Sequence, residues 1–230
     1  MPTESIIEPR SNHLDELDYA QQPRPSWRGR MHAITFFLAI PSGVLLILHA
    51  HRASARTAAA IYFASVLAVF GTSAAYHRLA HTVQARKIMR RLDHAMIFFL
   101  IAGTYTPVCL LAMPTAWGIP VLCAVWVGAV VGFTLKLTAF NKYKWLGFSL
   151  YPVLGWIVVI TMPVLARHLS TSELVLIIAG GLLYTLGIPV LVKRRPDPWP
   201  RTFGYHEVWH TCTVVAGVCH FAMVGLLVGS

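Results

Sequence analysis

His206-Glu207-Val208-Trp209-His210 heads the last long apolar run of the chain, TCTVVAGVCHFAMVGLLV over residues 211–228, and the reading of this stretch decides the fold. The run carries no Asp, Glu, Lys or Arg. Its length suits an α-helix crossing the hydrocarbon core of a bilayer, which takes about 20 residues. On that helix residues four apart lie about 40° apart in azimuth and one turn along the axis, so His206 and His210 can hold one cation between them. The stretch therefore reads as a membrane span with a metal-ligand pair at its entrance.

The rest of the composition agrees. With 230 residues, 56% of them hydrophobic and 12% charged, the chain has too few polar side chains to clothe a water-soluble globule. Seven apolar stretches, at about 31–50, 57–77, 94–113, 117–137, 144–166, 173–192 and 206–228, each approach the length of a span. The expected architecture is an all-α, seven-transmembrane helix bundle over residues 29–230, its neighbours joined by short loops. Residues 1–28 are charged, contain several prolines and lack apolar periodicity, which predicts a disordered cytoplasmic tail rather than a cleavable signal peptide. Cys109, Cys123, Cys212 and Cys219 all fall in apolar stretches, so free thiols are expected.

Charge sets the orientation. Sixteen of the 19 Lys and Arg lie in the tail and the second, fourth and sixth loops, counting Lys136 with its nearest loop; only Arg52, Arg56 and Arg167 lie on the other side. The positive-inside rule then puts the N-terminus in the cytoplasm and the C-terminus outside. The net charge of +10 is spread over these short loops, so anionic headgroups rather than nucleic acid are its expected partners. The cluster from Arg86 to Arg91 reads as a topology anchor, with a specific lipid-headgroup site as the alternative.

In this orientation three polar groups converge on the cytoplasmic end. The second span runs inward and ends at Ser73-x-x-x-His77, the third starts at Asp93-His94, and the seventh starts at His206. His77, His206 and His210 supply three nitrogen ligands, the number found at zinc sites that keep a fourth position for water. Such a metal acidifies bound water and polarises a carbonyl, permitting hydrolysis without a side-chain nucleophile. Asp93 is the candidate acid-base group, because an ionisable residue at a membrane helix is a functional candidate by default. Ser73, one turn before His77, is placed to bond the water or a developing oxyanion. Structural alternatives stand beside each: Asp93 as the N-cap of the third helix, Ser73 as a small residue at a helix contact, His81 in place of a more distant ligand. His49, His51, His94 and His220 carry no comparable pattern.

His206-Glu207-x-x-His210 also satisfies the HExxH pattern, in which Glu activates a zinc-bound water of a metalloprotease. That reading needs an acidic third ligand, for which Asp93 is the candidate, and it leaves His77 without a task. Pro107 and Pro152, near Gly103 and Gly155, mark kinks that either admit a lipid laterally or improve packing.

Taken together, Ser73-x3-His77, the run from Arg91-Leu92-Asp93-His94 into Gly103-Thr104-Tyr105-Thr106-Pro107, and Phe203-Gly204-Tyr205-His206-Glu207-Val208-Trp209-His210 resemble the bacterial hemolysin III branch of the progestin and adiponectin receptor family. The likeness covers the chain from about residue 30 onward. It implies a seven-helix protein of the bacterial inner membrane with the N-terminus inside. It also implies zinc on His77, His206 and His210, with Asp93 and Ser73 at the matching acid and serine positions. The wider superfamily includes alkaline ceramidases, so the implied substrate is a membrane lipid with an amide or ester linkage. The alternative is a receptor-like protein or sensor of membrane-lipid state in which zinc clamps helices together.

Overall fold

Helices form where the backbone must satisfy its own hydrogen bonds in lipid. The computed structural model describes residues 24–229 and contains seven of them: α1 (Arg30–His49), α2 (Ala53–Arg78), α3 (Val83–Leu111), α4 (Thr115–Thr138), α5 (Lys144–His168), α6 (Thr171–Lys193) and α7 (Tyr205–Gly229). All seven are long and apolar enough to cross a membrane. Among the described residues the extended structure is limited to one isolated bridge, Trp199 with Phe203, in the loop before α7. The expected seven-helix bundle is therefore the observed one.

The helix ends follow local chemistry. Ser170 and Glu173 form a reciprocal capping box at the start of α6. The largest departure from the sequence reading is at α3, which starts at Val83 rather than near residue 94. Thr82 caps it by accepting from the Ala85 amide, and the polar segment 83–92 extends the helix beyond its apolar part. Asp93 is consequently mid-helix and is not an N-cap. The four cysteines are free.

Short loops make sequential helices antiparallel neighbours. α3 packs on α2, α4, α5 and α7, and α7 also meets α1, α2 and α6, closing the bundle. Small residues permit the approach: Ala55, Ala58, Ala59 and Ser65 of α2 are buried, and a Cβ on Gly103 of α3 would lie 2.2 Å from Ser65 Oγ. Leu38, Leu45, Leu48, Val127, Ile160 and Leu186 are exposed on the outer faces, where lipid tails are their solvent. Threonine hydroxyls inside the spans bond their own helix, as Thr106 does to the Ala102 carbonyl at 2.8 Å.

α5 carries Pro152 and Pro163 inside its length, and a side chain from α3 also enters its backbone. The Tyr105 hydroxyl accepts from the Val158 amide at 2.7 Å and lies 3.1 Å from both the Leu154 and Gly155 carbonyls. A phenol thus enters the backbone ladder of α5 one to two turns after Pro152.

One end of the bundle gathers residues 24–29, the α2–α3 loop at 79–82, the α4–α5 loop at 139–143 and the α6–α7 loop at 194–204. The expected tail over 1–28 lies, up to residue 23, outside the described residues. Residues 24–29 are tied down: the Ser26 and Trp27 amides donate to the Arg201 and Thr202 carbonyls, each at 3.1 Å.

Candidate metal centre

At that end the last turn of α2 meets the first turns of α7. α7 can begin there because two carboxylates receive its free amides: Asp197 Oδ1 accepts from Tyr205 at 2.8 Å and Glu207 Oε2 from Gly204 at 2.9 Å. The helix then presents His206 and His210 one turn apart, toward His77 of α2. One ring nitrogen from each of the three lies within 4.8 Å of the other two. His206 Nε2 and His77 Nε2 are 3.4 Å apart.

The His77–His206 separation is the one a shared cation would impose. Nitrogen ligands about 2.0–2.1 Å from a tetrahedral zinc stand about 3.3–3.4 Å from one another. The buried Nδ1 atoms of His77 and His210, like that of the neighbouring His32, also have no hydrogen-bond partner among the described residues, whereas buried polar atoms ordinarily have one. The three residues therefore fit a single imidazole-binding metal ion.

Asp93 and Ser73 stand beside this cluster. The Ser73 hydroxyl hydrogen-bonds the Asp93 carboxylate, joining α2 to α3 one turn from His77. Ser73 is buried and Asp93 half-buried. The serine proton is directed to the carboxylate, which gives Ser73 a bonded partner in addition to its place at a helix contact.

Glu207 takes a different part from the one the HExxH pattern assigns. It is fully buried, with Oε2 on the Gly204 amide and Oε1 2.5 Å from Arg28 Nε. Both oxygens are committed to the helix start and to the segment before α1, an arrangement that anchors structure. His81 is exposed in the turn after α2, outside the cluster. His94 is also outside it, its Nδ1 2.8 Å from the Arg90 carbonyl.

Three neighbours escape a sequence reading. Gly29, at φ 77°, passes so close to α2 that a Cβ there would sit 2.5 Å from His77 Cβ. Arg24 Nη1 donates to the His77 carbonyl at 2.6 Å and the Tyr76 carbonyl at 3.2 Å. His32 of α1 stacks on His210, ring centroids 3.8 Å apart and 11° from parallel. Its Nε2 lies 3.2 Å from Thr213 Oγ1, whose proton goes to the His210 carbonyl at 2.8 Å. Thr213 Oγ1 therefore accepts, and His32 is held as the Nε2–H tautomer against the ligand ring. The orientation argument that selects His77 and His206 also places His32 at this end, and that is the signal by which it was findable.

The chain is also similar to known proteins. The family model described as "Haemolysin-III related" matches residues 20–221. The chain is 30% identical to Hemolysin-3 of Bacillus cereus over 182 residues, 78% of this chain and 80% of that one. It is 29% identical to the Hemolysin-3 homolog of Bacillus subtilis (strain 168) over 196 residues, 84% of this chain and 89% of that one. A more distant likeness, 23% over 177 residues, joins it to the Adiponectin receptor protein of Drosophila melanogaster, covering 70% of this chain and 40% of that protein.

Proposed function

The chain belongs to the haemolysin-III-related family, and from that premise we propose that it is a zinc-dependent hydrolase of a membrane lipid amide or ester, working near the cytoplasmic leaflet. With its seven apolar helices and bacterial relatives it is a multi-pass protein of the bacterial plasma membrane. The single observation that carries the hydrolase reading is a three-imidazole cluster with a serine-held carboxylate beside it.

His77, His206 and His210 would hold the zinc. When bound, zinc supplies a Lewis acid that polarises the scissile carbonyl and lowers the pKa of water. Asp93, oriented by Ser73, takes the proton of the attacking water and returns it to the leaving amine or alcohol. His32 and Arg24 hold two ligand segments in place, one through the His210 ring and the other through the His77 carbonyl. The positive loops at the site's end support a cytoplasmic position for it. A lipid whose tail stays among the exposed Leu, Val and Ile side chains reaches the cluster with its headgroup linkage.

Asp93→Asn tests this directly. Zinc per chain, measured by elemental analysis of protein in nanodiscs, is expected to stay unchanged. Turnover of the cleaved lipid, found by screening N- and O-acyl lipids, is expected to fall about 10²- to 10⁴-fold. An Asp93→Asn protein as active as the parent would overturn the assignment and favour zinc as a clamp between α2 and α7 in a receptor-like protein or lipid sensor.

A further inference from the structure

A second charged site lies beside Tyr151, a neighbour of Asp93. Lys136, in the last turn of α4, is only 4% exposed. Its Nζ stands 5.2 Å from the ring centres of both Phe140 and Tyr151. Arg90 of α3 sits over the same Phe140 ring at 5.0 Å. Arg90 and Lys144 both press on Lys136 with like charge. Gly147 of α5 leaves the lysine its room: a Cβ there would lie 3.0 Å from Lys136 Cε and 3.1 Å from Nζ.

The charge has no internal counterpart. Four carboxylates occur among the described residues, and each is engaged elsewhere. Glu207 pairs with Arg28, Asp197 holds the Tyr205 amide, Glu173 caps α6 at the other end, and Asp93 is bonded by Ser73. Lys136 makes no hydrogen bond or ion pair among the described residues. Two aromatic faces attract an ammonium, but they satisfy none of its three N–H donors. The helix-terminal carbonyls nearby carry only partial charge, and that of Leu137 is taken by Arg91 at 3.2 Å. Nζ is not among the enclosed atoms left without a partner, so the lysine stem is buried while its charge stays within reach of an anion from outside the protein.

We propose that Lys136 and Arg90, floored by Phe140 and Tyr151, form a binding site for the phosphate oxyanion of an anionic membrane lipid. The site faces the membrane boundary at the bundle end that bears most of the basic residues, where anionic headgroups gather. It also adjoins the metal centre. The Tyr151 hydroxyl donates to the His94 carbonyl at 2.8 Å, and His94 follows Asp93 in α3. A phosphate held by Lys136 therefore brings the acyl linkage of its own lipid toward Asp93. Resting on the hydrolase reading, this makes the substrate class an acyl lipid with an anionic headgroup.

Binding tests the site without turnover. Full-length protein in detergent micelles is examined by native mass spectrometry with dioleoyl phosphatidylglycerol, with dioleoyl phosphatidylcholine and with inorganic phosphate. The parent is expected to retain phosphatidylglycerol in preference to phosphatidylcholine, and Lys136→Met to weaken that retention about tenfold with phosphatidylcholine unchanged. Lys136→Arg is expected to keep the preference. Arg90→Met, expected to weaken it as well, serves if Lys136→Met does not fold. Equal retention of phosphatidylglycerol by the parent and a folded Lys136→Met protein would overturn the site. Displacement of the lipid by millimolar inorganic phosphate would overturn the lipid as its occupant in favour of the free ion. His210→Ala, which disables the hydrolase reading, is expected to leave lipid retention intact, so the two ideas fail separately.

Discussion

The seam between α2 and α7 and the seam between α3 and α5 both place polar side chains inside a bundle that is otherwise apolar, and they treat them in opposite ways. Between α3 and α5 every polar group is closed: the Tyr105 hydroxyl takes the Val158 amide and faces two carbonyls, and the Tyr151 hydroxyl takes the His94 carbonyl. Between α2 and α7 the imidazoles of His77 and His210 keep buried nitrogens to which the protein offers nothing. Burying an unpartnered polar atom costs free energy, so its persistence at one seam and its absence at the other marks the α2–α7 seam as the one with an unmet polar demand. His32, stacked on His210, shares that demand through its own buried Nδ1, whereas Nδ1 of His94 and of His168 each lies within 3 Å of a carbonyl one turn back, at 2.8 and 2.9 Å.

The contrast can be broken at either seam. The largest effect is expected from His210→Ala, which removes one of three ligands: zinc measured on the purified protein should fall from about one per chain to background. Retention of a full equivalent by that variant would erase the distinction. Arg28→Met comes next, because it leaves the buried Glu207 carboxylate without its cation; about 3 kcal/mol of stability is expected to be lost, read by chemical denaturation in mixed micelles. Unchanged stability would show that Arg28 is dispensable to the end of the bundle. Tyr105→Phe is the mildest, expected to cost about 1–2 kcal/mol while zinc content stays as in the parent. A Tyr105→Phe protein that loses its metal would show the two seams to be one coupled unit.

The sequence made the spans legible because lipid imposes a length and a composition on any helix that crosses it. The three clustered imidazoles were legible because the direction of each span decides which end its last residues reach. The start of α3 was hidden for the same reason: Arg86, Lys87, Arg90 and Arg91 read as loop, although arginine and lysine are good helix formers and Thr82 supplies a cap. The Arg28–Glu207 pair was hidden by distance, its partners lying 179 positions apart. His32 looked like any isolated imidazole until α1 was laid against α7. Glu207 was the misleading residue, since it matches a short pattern whose chemistry its two hydrogen bonds do not serve.

The clasp of Arg28 on Glu207 joins the segment before α1 to the first turn of the last helix. During synthesis the earlier six helices leave the ribosome and enter the bilayer with one of the three clustered imidazoles, His77, in place. An ion that needs all three would therefore have to wait until α7 has been threaded and the opening segment has folded back over it. A transcript cut short before codon 205 would yield a membrane protein of nearly normal topology that captures no ion.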